Sequence, residues 1–159
     1  MSDFIHLHNH SEFSLLDGLA TTKGLAQKAK DLGMNAIALT DHGVMYGIHE
    51  FYVNCKKIGI KPILGVELYM ARASRFDRDP EKDKIRYHIL LLAKNYTGYQ
   101  NLMKLVTIAN LEGFYYKPRI DWESLITHKE GLIVTSACLN GEVAKNILSF
   151  ILKWCNELK

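Results

Sequence analysis

Short apolar runs alternate with amphipathic helical stretches along this chain, and few residues separate one from the next. Residues 36–40 (AIALT) form an apolar run of strand length, and residues 23–32 before it place apolar side chains at helical spacing. Thr22 is suited to begin this helix as its N-cap, and Gly33 to end it. The same reasoning predicts strands at residues 4–8, 62–69, 88–93 and 132–135, and helices at residues 46–58, 99–111 and from about 142.

Strands joined through helices by short connections predict an α/β fold with a parallel sheet and right-handed crossovers. Two architectures stay open, a doubly wound open sheet and a β/α barrel. The glycine-rich motifs GxGxxG and GxxxxGK[ST] of nucleotide-binding folds are absent from the sequence. A closed barrel needs about seven or eight β/α units. Because the sequence predicts only five strands, either the sheet is open or the chain stops before closure.

Length and composition exclude several other classes of protein. A chain of 159 residues is long enough for one domain with its own core, and 48% hydrophobic with 23% charged residues exclude a disordered or fibrous protein. The apolar runs are far shorter than the roughly 20 residues of a membrane span, and the first residues lack a signal-peptide pattern. Three cysteines without a CxxC pair indicate a reducing, cytoplasmic location. The net charge of +3 permits a nucleic-acid partner without requiring one.

Histidine and acidic side chains follow the predicted strands at several points. His8 and His10 belong to an HxHxH run at the end of the first strand, and His42 directly follows the run at residues 36–40. The carboxyl ends of parallel strands meet at one edge of a sheet, so these imidazoles can converge on one metal ion. Glu67 lies within an apolar strand, where a carboxylate is costly unless it is paired, binds a metal or faces water.

Three further residues extend this candidate site. Cys138 lies just past the last predicted strand and is either a buried inert thiol or a thiolate ligand that favours zinc. Asp17 is either a ligand or the cap of a turn. His88 stands at the start of its strand, where a buried neutral histidine is the alternative. Nitrogen, oxygen and sulfur donors from separate strand ends together predict a multinuclear metal site that can bind a phosphate ester.

Two segments without regular periodicity are candidates for contact with nucleic acid. Residues 72–86 mix charges of both signs around a proline, which is typical of a solvated loop and, alternatively, of a contact with the DNA backbone. Residues 114–122 (FYYKPRIDW) interleave aromatic and basic side chains. There Tyr116, Lys117 and Arg119 are suited to stack on bases and hold phosphates, or the segment packs as a loop over the sheet.

Several motifs resemble the polymerase and histidinol phosphatase (PHP) domain family. In chain order they are HLHNHSEFSLLDG, IALTDHG, GIKPILGVELY, YHILLLAKNYTGYQNLMKL, GFYYKPRID and TSACLNGE. The resemblance extends over about residues 4–148 and, within the family, is stronger to the domains of bacterial replicative DNA polymerases. It implies a distorted, seven-stranded, TIM-barrel-like β/α barrel that holds up to three divalent metal ions. Zinc is favoured, with manganese or iron as alternatives.

The resemblance also implies a ligand set. The family's metal ligands match seven residues of this sequence: His8, His10, Asp17, His42, Glu67, His88 and Cys138. Three other histidines match no ligand position: His6, His49 and His128. No catalytic residue separate from the ligands is evident. The family's last ligands, an Asp-x-His pair, do not follow Cys138. We therefore expect residues 1–159 to be a PHP domain truncated before barrel closure, without polymerase palm, fingers and thumb.

In function, the resemblance implies a metal-dependent 3′–5′ exonuclease that proofreads DNA. Its partners would be primer–template DNA, the remaining polymerase domains and other replisome subunits, with no membrane. Two alternatives stay open. The domain is instead a scaffold that stabilises the polymerase or docks a separate proofreading exonuclease, or it is a free-standing phosphoesterase for a small metabolite such as histidinol phosphate.

Overall fold

The computed structural model describes residues 4–157, with side chains described as far as Ile151. Helices and strands follow one another in this part of the chain, and none of its helices is long and apolar enough to cross a membrane. In chain order the elements are α1 (Thr22–Asp31), β1 (Ala36–Leu39), α2 (Ile48–Ile58), β2 (Lys61–Ala71), β3 (Arg86–Ala93), α3 (Tyr96–Leu111), β4 (Arg119–Ile120), α4 (Trp122–Thr127), β5 (Leu132–Thr135) and α5 (Glu142–Glu157).

The strands form one open sheet in the order β1–β2–β3–β5, with β4 paired to β2. β1 and β4 run parallel to β2, whereas β3 is antiparallel to both β2 and β5. The prediction of a wholly parallel sheet was therefore wrong at β3, because residues 72–85 return the chain without a crossover helix. Within the described residues the sheet has five strands and does not close, rather than the seven strands of the expected barrel.

The N-terminal segment differs from the strand predicted at residues 4–8. It has no regular strand of its own, but it runs beside β1, where the backbone N–H groups of Ala38 and Thr40 donate to the carbonyls of His6 and Asn9 at 2.9 Å. The Asn9 backbone N–H also donates to Thr40 Oγ1 at 3.0 Å. These bonds fix the backbone of the HxHxH run against the end of β1.

Capping side chains explain two further differences from the sequence prediction. α1 begins one residue earlier than expected, because Thr21 rather than Thr22 is its N-cap and accepts from the Gly24 backbone N–H at 3.0 Å. The short helix α4 was not predicted, because its six residues show no apolar periodicity. It is held by Asp121, which accepts from the Ser124 backbone N–H at 3.0 Å in a capping box.

Successive side chains of β2 point alternately to the main core and to the opposite face of the sheet. Val66, Leu68 and Met70 are buried together with Leu102 and Leu105 of α3. Because successive strand residues point to opposite faces, Glu67 and Tyr69 lie on the other face. A second group of buried apolar residues joins α1, α2 and β1; it includes Ala26, Leu39, Phe51 and Cys55.

The charged segment at residues 72–85 is tied down rather than freely solvated. Arg119 is fully buried, and its guanidinium donates to the carbonyl oxygens of Gly113, Asp83, Arg75 and Asp77 at 2.7–3.2 Å. The Asp83 carboxylate, 3% exposed, accepts from Arg72 Nη2 at 3.2 Å. This loop therefore has a fixed shape beside the end of β2.

Candidate metal centre

Glu67 is the centre of the site and is only 1% exposed. Its Oε2 atom lies 2.9 Å from His8 Nε2, 3.1 Å from His10 Nε2 and 3.2 Å from His42 Nδ1. The rings of His10 and His42 stack with their centroids 4.2 Å apart. Three imidazoles from two separate segments therefore meet at one carboxylate oxygen.

The other carboxylate oxygen of Glu67 faces a fourth imidazole and a thiol. His88 Nδ1 lies 2.8 Å from Oε1, and the Cys138 thiol donates to the same oxygen at 3.6 Å. Cys138 Sγ also lies 3.5 Å from His88 Nδ1. The turn that carries Cys138 is held on β3, because the His88 backbone N–H donates to the Asn140 carbonyl at 3.0 Å.

The antiparallel direction of β3 explains why His88 reaches the site from the start of its strand. His88 lies directly opposite Tyr69 in the β2–β3 pair. The beginning of β3 therefore lies beside the far end of β2. On the other edge of β2, parallel pairing continues past β1: the Glu67 backbone N–H donates to the Asp41 carbonyl at 3.1 Å, and Gly43 donates to the Glu67 carbonyl at 2.9 Å.

Asp17 lies at the open rim of the site, with its side chain 52% exposed. Its Oδ2 atom is 3.5 Å from His42 Nε2 and 3.9 Å from His10 Nδ1. The turn that presents it is tight, since a Cβ on Gly18 would lie 2.0 Å from the carbonyl oxygen of Ser11. Only glycine fits there, and the turn is thereby fixed next to the imidazoles.

Asp41 positions the site without facing Glu67, and sequence reasoning did not single it out. It is 1% exposed and accepts from the Ser11 backbone N–H at 2.6 Å, from Ser11 Oγ at 2.7 Å and from Ser14 Oγ at 2.8 Å. Ser14 Oγ in turn accepts from the His42 backbone N–H at 3.0 Å. The sequence did contain a signal for this role: Asp41 directly follows an apolar strand, and the HxHxH motif upstream is followed by Ser11 and Ser14.

Non-glycine residues with positive φ stand directly before three of the predicted site residues. Leu16 precedes Asp17 with φ 66°, Ala137 precedes Cys138 with φ 57°, and Tyr116 precedes Lys117 with φ 59°. Such left-handed backbone costs about 1–2 kcal/mol per residue. Strain of this kind persists where the surrounding structure holds a functional group in place.

Burial and contacts within the site shift the pKa values of Glu67, His10 and His42 in opposite directions. Burial alone would raise the pKa of Glu67, but the hydrogen bonds from His10, His8 and His88 outweigh it and hold that pKa well below its usual range. Burial alone would lower the pKa of His10, but its hydrogen bond to Glu67 raises that pKa above the ordinary value. Burial lowers the pKa of His42 against the attraction of Glu67.

The donor atoms fit a divalent cation. Among the described residues, three groups of side chains each bring nitrogen and oxygen atoms within 4.8 Å of one another: His8, His10 and Glu67; His10, Asp17 and His42; His42, Glu67 and His88. His42 Nδ1 is the one buried side-chain polar atom of the described residues without a hydrogen-bond partner, although it points at Glu67. A cation bound between them would satisfy it, and imidazole and carboxylate donors suit zinc, manganese or iron.

The three residues predicted to contact nucleic acid differ in their placement. Tyr116 and Lys117 are exposed, and their role stays a prediction. Arg119 is fully buried with its guanidinium bonded to main-chain carbonyls, so it presents no charge to a phosphate in this structure. Of the three histidines that match no ligand position, His6 and His49 are exposed and His128 is half-buried.

These features define a mixed α/β domain with a histidine- and carboxylate-rich centre at one end of its sheet. The chain belongs to the PHP domain family, which it matches over residues 6–156. The family resemblance predicted from the sequence is thereby confirmed.

Among its relatives is DNA polymerase III subunit alpha of Borreliella burgdorferi, 53% identical over 149 residues, or 93% of this chain and 13% of that protein. The same subunit of Aquifex aeolicus is 50% identical over 145 residues, 87% of this chain and 12% of that protein. The chain thus spans about an eighth of the length of these relatives. A solved amidohydrolase of Chromobacterium violaceum shares 23% identity with a TM-score of 0.44, over 64% of this chain and 32% of its own.

Proposed function

We propose that this chain is a metal-binding domain of a replicative DNA polymerase alpha subunit and hydrolyses phosphodiester bonds at the 3′ end of DNA. Identity of 50–53% to DNA polymerase III alpha subunits supports the replicative part of the proposal. The observation that carries the hydrolytic part is the arrangement of four imidazoles and a thiol around the buried Glu67 carboxylate.

The ligands in this proposal are the seven residues that match the family: His8, His10, Asp17, His42, Glu67, His88 and Cys138. When bound, divalent cations supply positive charge that polarises a phosphate oxygen and favours ionisation of water. Glu67 holds the imidazoles in position, and Asp41 holds the loop that carries His42. Asp17 faces solvent at the rim of the site, and in this proposal substrate enters there.

The reaction would be hydrolysis of the last internucleotide bond. The oxygen of a water molecule forms a bond to phosphorus, the bond from phosphorus to the O3′ atom breaks, and the leaving O3′ takes up a proton. The products are a nucleoside 5′-monophosphate and a strand shortened by one nucleotide, which is the result that removal of a mispaired 3′ end requires.

The test is a nuclease assay with the complete polypeptide that the gene encodes, on a primer–template carrying a labelled 3′ mismatch. With a divalent cation present we expect release of the 3′ nucleotide, and we expect His10→Ala to slow it by about 100-fold or more because it removes a ligand. His49→Ala, which changes an exposed histidine outside the site, is the matched control. Equal degradation by wild type and His10→Ala would remove the hydrolytic function. Turnover of histidinol phosphate instead of DNA would establish the small-molecule alternative.

A scaffold role is the second candidate, and the exposed face of α5 favours it. Val143, Ile147 and Phe150 are 56%, 55% and 72% exposed and share one side of the helix by their spacing. Such an apolar face suits contact with another protein surface. If Ile147→Asp destabilises the complete polypeptide while His10→Ala leaves both stability and DNA degradation unchanged, the scaffold is the function.

A further inference from the structure

The ring of Tyr69 forms a wall of the Glu67 centre and is only 5% exposed. It stacks on His42 with ring centroids 5.9 Å apart, and it meets the edge of His88 with centroids 5.1 Å apart. Two cations approach the same ring: Arg86 Cζ and Lys117 Nζ each lie 5.9 Å from its centroid. The positive charges of Arg86 and Lys117 therefore lie next to the Tyr69 ring, which itself contacts two imidazoles of the Glu67 centre.

The register of the sheet places Arg86 there. Tyr69 is opposite His88, and Ala71 is opposite Arg86, in the antiparallel β2–β3 pair. Residues directly opposite each other, and those two positions further along, share a face of the sheet. Arg86 therefore belongs to the face that carries Glu67, Tyr69 and His88.

Lys117 reaches Tyr69 from the other edge of β2. It belongs to the turn before β4, and β4 runs parallel to β2 with Arg119 opposite Tyr69. The turn is tight, because the Tyr115 backbone N–H donates to the Lys117 carbonyl at 3.1 Å and Tyr116 has positive φ. The position of Lys117 follows from this backbone, although its side chain is exposed.

In the part of the chain whose side chains are described, these two cations differ from their neighbours in having no carboxylate partner. Arg72 and Arg75 are paired with Asp83 and Asp121 at 3.2 and 3.0 Å. Within residues 4–151, neither Arg86 nor Lys117 has a carboxylate oxygen within 4.0 Å. The Arg86 guanidinium is bonded to the Lys84 carbonyl at 2.9 Å, which leaves its charge available to an anion.

We propose that Arg86 and Lys117, one on each side of β2, form a clamp that binds a phosphate group of the substrate strand beside the Glu67 centre. The guanidinium supplies a planar pair of donors and the ammonium a compact charge, and both are typical partners of phosphate. The clamp deepens the proposed function, on which it rests, by assigning the residues that position the strand. Neither residue is a metal ligand in that proposal.

The test is protection of Lys117 from acetylation in the complete polypeptide, read by peptide mass spectrometry. Metal is removed with a chelator, and thymidine 5′-monophosphate is the probe. We expect the nucleotide to slow acetylation of Lys117 but not of Lys84, another exposed lysine on the neighbouring loop, which stacks on no ring of the site within the described residues. In Arg86→Gln the nucleotide concentration for half-protection should rise by about tenfold, the cost of one lost charged hydrogen bond. Arg86→Lys should restore most of the protection.

Three results would overturn the clamp: no protection of Lys117, equal protection of Lys84, or an unchanged half-protection concentration in Arg86→Gln. The nuclease assay separates this outcome from failure of the proposed function. Degradation of DNA that depends on His10 but occurs without protection of Lys117 would refute only the clamp. Protection that depends on Arg86, without any degradation, would keep the phosphate site and refute hydrolysis.

Discussion

Glu67 Oε2 lies 2.9 Å from His8 Nε2, although 59 positions separate the two residues in the sequence. Each is brought there by backbone pairing, since residues 6–9 bond to β1 and β1 bonds to β2. The contact is therefore a property of the sheet and not of a flexible loop. It follows that changes at Glu67 should act on the whole donor set at once.

Glu67→Gln should abolish metal binding while the chain stays folded. The amide keeps the size of the side chain but removes the charge that faces four imidazoles, so affinity should fall by more than the roughly 10–100-fold that loss of an outer partner costs. Metal content measured by plasma mass spectrometry after gel filtration checks this. His49→Gln is the matched control, and equal metal content in the two variants would contradict the prediction.

Asp41→Asn should weaken metal binding without touching a ligand. The amide can accept with only one atom where the carboxylate accepts from Ser11 and Ser14 with two, so at least one hydrogen bond to a charged group, worth about 1.5–3 kcal/mol, is lost. We expect a lower unfolding free energy in urea and an affinity lower by about 10–100-fold. Asp31→Asn, at the exposed end of α1, should change neither.

Cys138 should be protected from alkylation when zinc is added, and Cys55 should react slowly with or without it. Cys138 is partly exposed and its thiol faces Glu67 and His88, whereas burial raises the pKa of Cys55 to about 11 and suppresses its thiolate. Iodoacetamide labelling followed by peptide mapping reads each cysteine separately. Unchanged labelling of Cys138 at saturating zinc would exclude it as a ligand.

Asp121 should make the chain sensitive to acid. Burial alone would raise the pKa of Asp121, but hydrogen bonds from the Ser124 and Arg75 backbone N–H groups outweigh it and lower that pKa below its ordinary value of 3.8. The folded state therefore favours the anion. The stability that this adds is present above the ordinary pKa and is lost as pH falls through the lower, folded value.

Urea unfolding of wild type and Asp121→Asn at several pH values checks this sign. The variant should be less stable at neutral pH, and the difference should shrink as the pH falls from about 5 to about 2. Glu81→Gln, which changes an exposed acid, should show no such convergence. A difference that is constant over this range would show that Asp121 titrates normally in the folded state.

Most ligand candidates lie at or beside a strongly apolar predicted strand, where a charged or imidazole side chain needs a partner. Asp17 lies in a turn, and the family resemblance was the stronger indication that it is a ligand. Glu67 is the clearest example: the apolar run at residues 64–68 left open whether its carboxylate is paired, binds a metal or faces water, and the structure buries it. His88 was harder to place. A pattern of alternating strands and helices indicates parallel pairing, and only the antiparallel return of β3 brings the start of that strand to the site.

Asp41 and Arg119 show what sequence patterns do not contain. The burial of Asp41 depends on hydrogen bonds from Ser11 and Ser14, thirty and twenty-seven residues away, which no local period records. Arg119 looked suited to bind phosphate because of its basic and aromatic neighbours. Its guanidinium is instead surrounded by carbonyls of a loop that precedes it by up to forty-four residues.

The buried guanidinium of Arg119 also connects the two surface segments that carry Arg86 and Lys117. It bonds at once to the loop that leads into Arg86 and to the turn that ends in Lys117, through Asp83 and Gly113 respectively. We therefore expect the two segments to move together. The distance between the charged groups of Arg86 and Lys117 should therefore stay nearly constant, even when this edge of the domain shifts as a whole.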